Sequence, residues 1–372
     1  MTRIWNKHKL NIPLKRKVFV GMSGGVDSSV SALLLKKRGY DVTGIFMKCF
    51  NIDGCAKRDA EDARRVAERL RIPFYTFDFE EEYKKRVVRY MVEGYKKGIT
   101  PNPDVMCNKE IKFGMFLDKA LALHADYVAM GHYVRLKKYK GAFSVFKAKD
   151  ENKDQSYFLW TLTQNQLERS LFPLGEYTKP EVRAMAKKAN LPTADKKDSQ
   201  GICFLGDISI SDFLKDYIRS KKGKIITTKG EVIGEHEGAH LYTIGQRHGL
   251  DLSMKNKALG IKGNHATKAH YVVSKDVKNN IIIVAEGSED PALSKQEINL
   301  TDVHIINPKS SDEGGVLTRV RYRQPLRRAV LRRKNKKTHT LTFKNPQIFV
   351  APGQSAVFYA KNGEMLGGGI IQ

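Results

Sequence analysis

Through its first 200 residues the chain alternates short apolar runs with longer amphipathic stretches. Residues 17–20, 42–47, 73–77 and 127–130 read as strands. Between them, 28–38, 59–70, 81–97 and 111–124 repeat their apolar positions at helical spacing. Strands separated by helices predict a parallel sheet wound on both faces, with ligands beyond the C-terminal strand ends. From Lys222 the helical period fades. Short β runs at 224–228, 231–234, 242–244, 271–274 and 281–285 predict a small β-rich domain. A further set at 300–306, 316–323, 328–333, 338–343 and 356–359, broken by glycine and proline turns, predicts a small barrel. The expected fold class is therefore α/β: a doubly wound parallel-sheet domain over 1–208, a central β-rich domain over 209–286, and a barrel-like domain over 287–372.

The first strand runs into Gly21-Met22-Ser23-Gly24-Gly25-Val26-Asp27-Ser28-Ser29, and a helix follows. Gly24 and Gly25 allow close approach of the backbone to an anion. The N–H groups and dipole of the helix start favour phosphate, and Asp27 adds a carboxylate for Mg²⁺. The Gly-Lys-Ser/Thr ending of a Walker loop is missing.

Composition narrows the partner. A hydrophobic content of 41% supports several cores, while a net charge of +26 is the footprint of a protein that meets a polyanion. General lysine enrichment is the alternative, and clustering decides between them. Arg319, Arg321 and Arg323 would share one face of the strand expected at 316–323, and Arg327, Arg328, Arg332, Arg333, Lys334, Lys336 and Lys337 follow. That concentration favours a phosphate-binding surface. No apolar run reaches membrane-spanning length and no signal-peptide core is visible, so a cytoplasmic protein is expected. Four cysteines in 372 residues do not make a disulfide scaffold.

Two cysteines sit in suggestive settings. Pro101-Asn102-Pro103-Asp104 is a rigid polar turn, and Cys107 stands just before the expected helix, where a thiol is acidified. Asp104 is three residues away as a local proton acceptor. Cys203 follows a glycine in Asp198-Ser199-Gln200-Gly201-Ile202-Cys203-Phe204, a loop that could swing between donor and acceptor. Cys49 and Cys55 lack zinc-knuckle spacing. Taken alone, a cysteine is ordinarily a small buried hydrophobe.

The loop at 21–28 resembles the Ser-Gly-Gly-x-Asp-Ser loop of the ATP-pyrophosphatase superfamily. Seven further pieces extend the likeness: Asn102-Pro103-Asp104 with Cys107, Gly131-His132-Tyr133, Asp154-Gln155-Ser156-Tyr157-Phe158, Gly201-Ile202-Cys203-Phe204, Tyr242-Thr243-Ile244-Gly245-Gln246-Arg247, Arg321-Tyr322-Arg323-Gln324 and Pro352-Gly353-Gln354-Ser355-Ala356. In this order they resemble the bacterial tRNA-specific 2-thiouridylases along the whole chain, apart from a basic N-terminal extension. The resemblance implies an ATP-pyrophosphatase catalytic domain and a tRNA-uridine 2-sulfurtransferase that replaces O2 of the wobble uridine by sulfur. It implies that Gly21, Met22, Ser23, Gly24, Gly25, Val26, Asp27 and Ser28 hold ATP and Mg²⁺, with Asp27 a Mg²⁺ ligand and no fixed metal site. Met47 and Gly131 would border the adenosine. Asn102, Pro103 and Asp104 would face the base, with Asp104 as general acid or base. His132, Lys153, Asp154, Gln155, Arg321, Tyr322 and Gln354 would contact tRNA.

Cys203 would carry sulfur as a persulfide received from a cysteine desulfurase or a sulfur-relay protein. Its terminal sulfur attacks the adenylated C2, or Cys107 releases hydrosulfide from it; both routes leave a Cys107–Cys203 disulfide. Two rival readings differ in class. A synthetase adenylating a small metabolite would not need the two cysteines or the basic strands. A non-catalytic tRNA-binding protein would not need Asp27, Cys107 and Cys203 together.

Overall fold

The computed structural model describes residues 15–50, 54–139, 141–198, 208–252, 268–308, 310–335 and 338–372. Cys203, with the rest of 199–207, lies outside them, as do Lys336, Lys337 and most of the N-terminal extension.

The first sheet is built from β1 (Lys17–Gly21), β2 (Asp41–Lys48), β3 (Phe74–Asp78) and β4 (Tyr127–Ala129). Two strands of a hairpin follow, β5 (Val134–Tyr139) and β6 (Ala142–Lys147), and then β7 (Ser170–Leu171). The sheet order is β3-β2-β1-β4-β7, and every pair is parallel. β1 is central because Val18 and Val20 are completely buried; each such side chain contributes roughly 1.5–3 kcal/mol by leaving water. From β1 the chain runs outward through β2 to β3, then crosses back to place β4 on the other side of β1. That reversal opens a crevice at the C-terminal end of β1, and the glycine loop sits there.

The central domain is a four-stranded sheet of β8 (Gly223–Thr227), β9 (Val232–His236), β10 (His270–Asp276) and β11 (Ile281–Glu286), ordered β10-β11-β8-β9. The barrel comprises β12 (Ser294–Ile305), β13 (Gly314–Arg319), β14 (Arg327–Arg333), β15 (Thr338–Ile348), β16 (Ser355–Tyr359) and β17 (Glu364–Ile371). It closes because β17 pairs back onto β12. Ala329, Leu331, Leu341, Phe343, Ala356 and Phe358 fill its interior.

Several expectations need correction. The 111–124 helix begins earlier: Pro103 takes the first helical position, Asn102 caps it by accepting from Val105 N at 3.2 Å, and the helical run continues to Ala122. Cys107 is therefore one turn inside the helix, where it opens a π-helical segment, Cys107–Met115. Residues 242–244 form no strand; a 3₁₀ turn, Ala239–Leu241, precedes them and they continue as loop. The strand expected at 316–323 ends at Arg319, so Arg321 and Arg323 stand in a turn, Arg323 with φ +65°, and do not share a strand face with Arg319. The β5–β6 hairpin was not expected. It extends the barrel sheet, pairing Phe146 with Glu364 and Val145 with Met365, so an N-terminal segment becomes part of the C-terminal architecture.

Candidate active site

The loop after β1 is shaped by contacts that leave no room for side chains. Gly24 has φ +72°, and a Cβ there would lie 2.3 Å from Asp59 O. Ser28 Oγ accepts from Ser23 N at 3.2 Å and donates to Gly25 O at 3.1 Å, which ties the turn to the first turn of α1 (Val26–Lys37). Gly131, just past β4, packs on the same turn: a Cβ would meet Ser28 N at 2.9 Å and the Asp27 carbonyl carbon at 3.1 Å. A Cβ on Gly21 would meet Met130 Sδ at 2.8 Å and Met47 Cε at 3.0 Å. The fold thus brings Gly21, Met47 and Gly131 beside the loop, a cradle that fits a nucleotide.

Asp27 lies in a charge network that the sequence did not disclose. Lys179 Nζ donates to Asp27 Oδ1 at 2.7 Å and Oδ2 at 2.8 Å, and Tyr133 OH donates to Oδ1 at 2.8 Å. The same Nζ lies 2.8 Å from Asp198 Oδ1. Asp198 also takes Lys153 Nζ at 2.6 Å and Arg183 at 2.9 Å. Burial opposes ionisation of Asp198, but hydrogen bonds from Lys153 and Lys179 outweigh it and hold the carboxyl at about 2. Burial, together with Asp27, pushes the Tyr133 phenol far up, so it stays a donor. Asp27 fits Mg²⁺ only as one carboxylate touching a phosphate-bound ion, since three donor contacts already occupy its oxygens. Among the described residues no group of three or more acidic, His or Cys side chains could hold a metal by itself.

Lys179 opens the helix Lys179–Lys188, behind a Thr178/Glu181 capping box. A cation at the first helical position opposes the helix dipole, so its presence signals a nearby carboxylate. That was the clue available in the sequence.

The second part of the site is the Cys107 helix. Asp104 and Cys107 are three apart and share a helix face. Cys107 is buried and belongs to the large hydrophobic core that also holds Val105, Ile111 and Met130. Because the helix starts at Pro103, the thiol is carried inward and is buried. Burial raises the Asp104 carboxyl above the usual range, with Lys112 opposing. His132 is buried against Phe113, ring centroids 5.8 Å apart, and Phe172. Burial and Lys112 push its imidazole well below the ordinary value, so it is neutral. Gly131 and His132 thus join the two parts: one abuts the phosphate loop, the next packs on the Cys107 helix.

The expected tRNA contacts divide. Tyr322 stacks near Phe158 and Tyr157, at 4.5 and 5.9 Å between centroids, and Arg323 lies over its ring at 5.2 Å. Arg321 lies close enough to Tyr157 to act on its phenol. Asp154, by contrast, is buried, accepting from Ser156 N and Ala148 N and facing the buried Arg319 at 3.5 Å. Gln155 Oε1 accepts from Tyr133 N at 3.0 Å, and Lys153 is held by Asp198. These three side chains have internal partners. On β14, Arg328, Val330 and Arg332 point outward while Ala329 and Leu331 point in, so the basic cluster is exposed.

A family model described as tRNA methyl transferase HUP domain matches residues 16–207. One described as tRNA methyl transferase PRC-barrel domain matches 211–286, and an aminomethyltransferase beta-barrel domain matches 295–371. The chain is 46% identical to tRNA-specific 2-thiouridylase MnmA 1 of Geobacillus kaustophilus, across 96% of this chain and 95% of that protein. It is also 46% identical to tRNA-specific 2-thiouridylase MnmA of Pseudomonas putida, across 98% and 96%. The domain descriptions say methyltransferase and the relatives say thiouridylase. The relatives carry more weight, because they span all three domains at once.

Proposed function

The chain belongs to the family of tRNA-specific 2-thiouridylases and forms 2-thiouridine in tRNA, and on that premise we propose how its residues divide the work. ATP activates O2 of the wobble uridine: the oxygen attacks the α-phosphorus, pyrophosphate leaves, and AMP becomes the leaving group on C2. Gly21 to Ser28 would hold the phosphates and Met47 and Gly131 would border the adenosine, while Asp27 would offer a carboxylate to Mg²⁺, whose charge would screen the phosphates. Lys179 holds the Asp27 carboxylate in place beside the loop.

Asn102, Pro103 and Asp104 receive the base, which must leave its stack to arrive there. A raised Asp104 keeps a proton to higher pH than an ordinary carboxyl, as a general acid requires. Cys203 brings sulfur as a persulfide from a cysteine desulfurase or relay protein in the cytoplasm. In one route its terminal sulfur attacks C2 and expels AMP, and Cys107 then cleaves the S–S bond. In the other, Cys107 attacks first and the released hydrosulfide attacks C2. Either route ends in a Cys107–Cys203 disulfide that an external thiol must reduce. Among the described residues no helix is long and apolar enough to cross a membrane.

The observation that carries this reading is the Gly131–His132 wall, which serves the phosphate loop on one side and the Cys107 helix on the other. Mass spectrometry of tRNA nucleosides after incubation with ATP and a protein persulfide tests it. Thiouridine should form only with both present; thiouridine without ATP refutes the adenylation step.

The basic face of β14 is read as a phosphate-binding surface. Neutralising Arg332 and Arg333 should weaken tRNA binding and flatten its salt dependence by about one unit of slope per lost contact. ATP binding should be unchanged. Filter binding across a salt series checks this, and an unaltered slope removes β14 from the interface.

A further inference from the structure

Three segments meet at Thr100, two residues before the Asn102 cap. Thr100 N donates to Pro352 O at 2.8 Å. Thr100 O accepts from Gln354 Nε2 at 2.9 Å, and the same amide reaches Pro101 O at 3.4 Å. From the central domain, Thr243 Oγ1 accepts from Thr100 Oγ1 at 3.2 Å. Gly353 between the two barrel contacts has φ +91°, and a Cβ on it would stand 2.8 Å from Thr100 O. The barrel turn is itself braced, with Gly353 N donating to Ile371 O and Ile371 N to Gln354 O. Next in the chain, Ser355 Oγ accepts from Trp160 Nε1 at 3.0 Å and Ser355 O from Tyr157 OH at 3.0 Å. Asp154 and Arg319 form a buried pair across the same junction.

The amide nitrogen of Gln354 is spent on two backbone carbonyls and has no donor left for an outside partner, while its Oε1 can still accept. Nε2 has only two N–H bonds, and both have acceptors here. We propose that Gln354 is a positioning residue: it fixes the Thr100–Asn102 turn, and through it Asp104 and Cys107. The barrel is then a working wall of the catalytic domain. Asn102 sets where the helix begins, and the helix start sets where Asp104 and Cys107 point. A turn released by even an ångström displaces both reactive groups, and misplacement of that size costs up to roughly a hundredfold in rate.

The inference rests on Asp104 and Cys107 being the reacting pair, so the experiment carries a separate arm for that. Gln354→Met keeps length and removes both donors. Thr243→Val loosens the same turn from another domain, and remains informative if Gln354→Met fails to fold. Each is assayed for single-turnover thiolation at saturating tRNA and ATP, for tRNA Kd by filter binding, and for the alkylation rate of Cys107 by iodoacetamide in the free enzyme, with Cys107→Ala identifying that site. The expected result is a rate at saturation lower by roughly tenfold or more, a tRNA Kd within about twofold of the parent, and an altered alkylation rate. A tRNA Kd raised tenfold with an unchanged rate at saturation overturns the proposal and makes Gln354 a tRNA contact. Normal values in all three assays overturn it too. Normal thiolation by Cys107→Ala defeats the underlying site reading instead, and the two failures are thereby distinct.

Discussion

Lys179→Met is expected to remove ATP-driven turnover and to destabilise the fold together. The methionine matches the lysine stem but leaves Asp27 and Asp198 facing one another without their shared cation. Removing one partner of a buried pair costs about 3–5 kcal/mol. The carboxylates here are 34% and 26% exposed, and Asp198 keeps Lys153 and Arg183, so the lower end, about 3 kcal/mol, is expected at neutral pH. The pH dependence has a definite sign. Asp198 is depressed from 3.8 to about 2, so its contribution is intact above pH 3.8 and is lost as pH falls through about 2. Across that window the parent weakens toward the variant and the gap between them narrows. Adding Asp27→Asn to Lys179→Met should restore part of the stability at pH 7, since it removes one of the stranded charges. Urea unfolding at several pH values reads the stability, and pyrophosphate release with tRNA reads the turnover. A variant with parental stability and normal pyrophosphate release contradicts both the network and its role.

Cys107→Ala should separate the two half-reactions. Adenylation depends on the nucleotide loop and should continue, so pyrophosphate is released, while thiouridine formation falls on the order of a thousandfold or more. Serine is the poorer test, because a hydroxyl at that buried position carries its own burial cost. The measurement pairs pyrophosphate release with thiouridine per tRNA in a single turnover. Thiouridine formed at the parental rate removes Cys107 from the sulfur transfer.

The glycine loop was legible because its chemistry is local: strand, two glycines, carboxylate and helix follow one another in the chain. The parallel sheet was legible for the same kind of reason, since its strands are continuous apolar runs. The Asp27–Lys179–Asp198 network was not, because its members are up to 171 positions apart, from Asp27 to Asp198, and no local pattern ties them together. The β5–β6 hairpin escaped notice because Lys137, Lys138 and Tyr139 are exposed and its strands pair with a segment more than 200 residues away. The apparent alternation of Arg319, Arg321 and Arg323 misled because Arg319 is a buried partner of Asp154, and the strand ends there. The depth of Cys107 depended on one cap: Asn102 starts the helix about two turns earlier than the apolar period indicates.

The closing role of β17 has a consequence for how the enzyme comes into being. β17 seals the barrel against β12, braces the turn that carries Gln354, and annexes the β6 hairpin. During synthesis the nucleotide-binding sheet is complete long before residue 364 leaves the ribosome. Until then β12 and β16 each lack a neighbour, and unpaired strand edges invite association with other chains. The Thr100 turn likewise awaits its clamp. A nascent or prematurely terminated chain therefore holds a finished parallel sheet and glycine loop beside an unclamped Cys107 helix, and the last strand made acts as the molecule's proof of completeness.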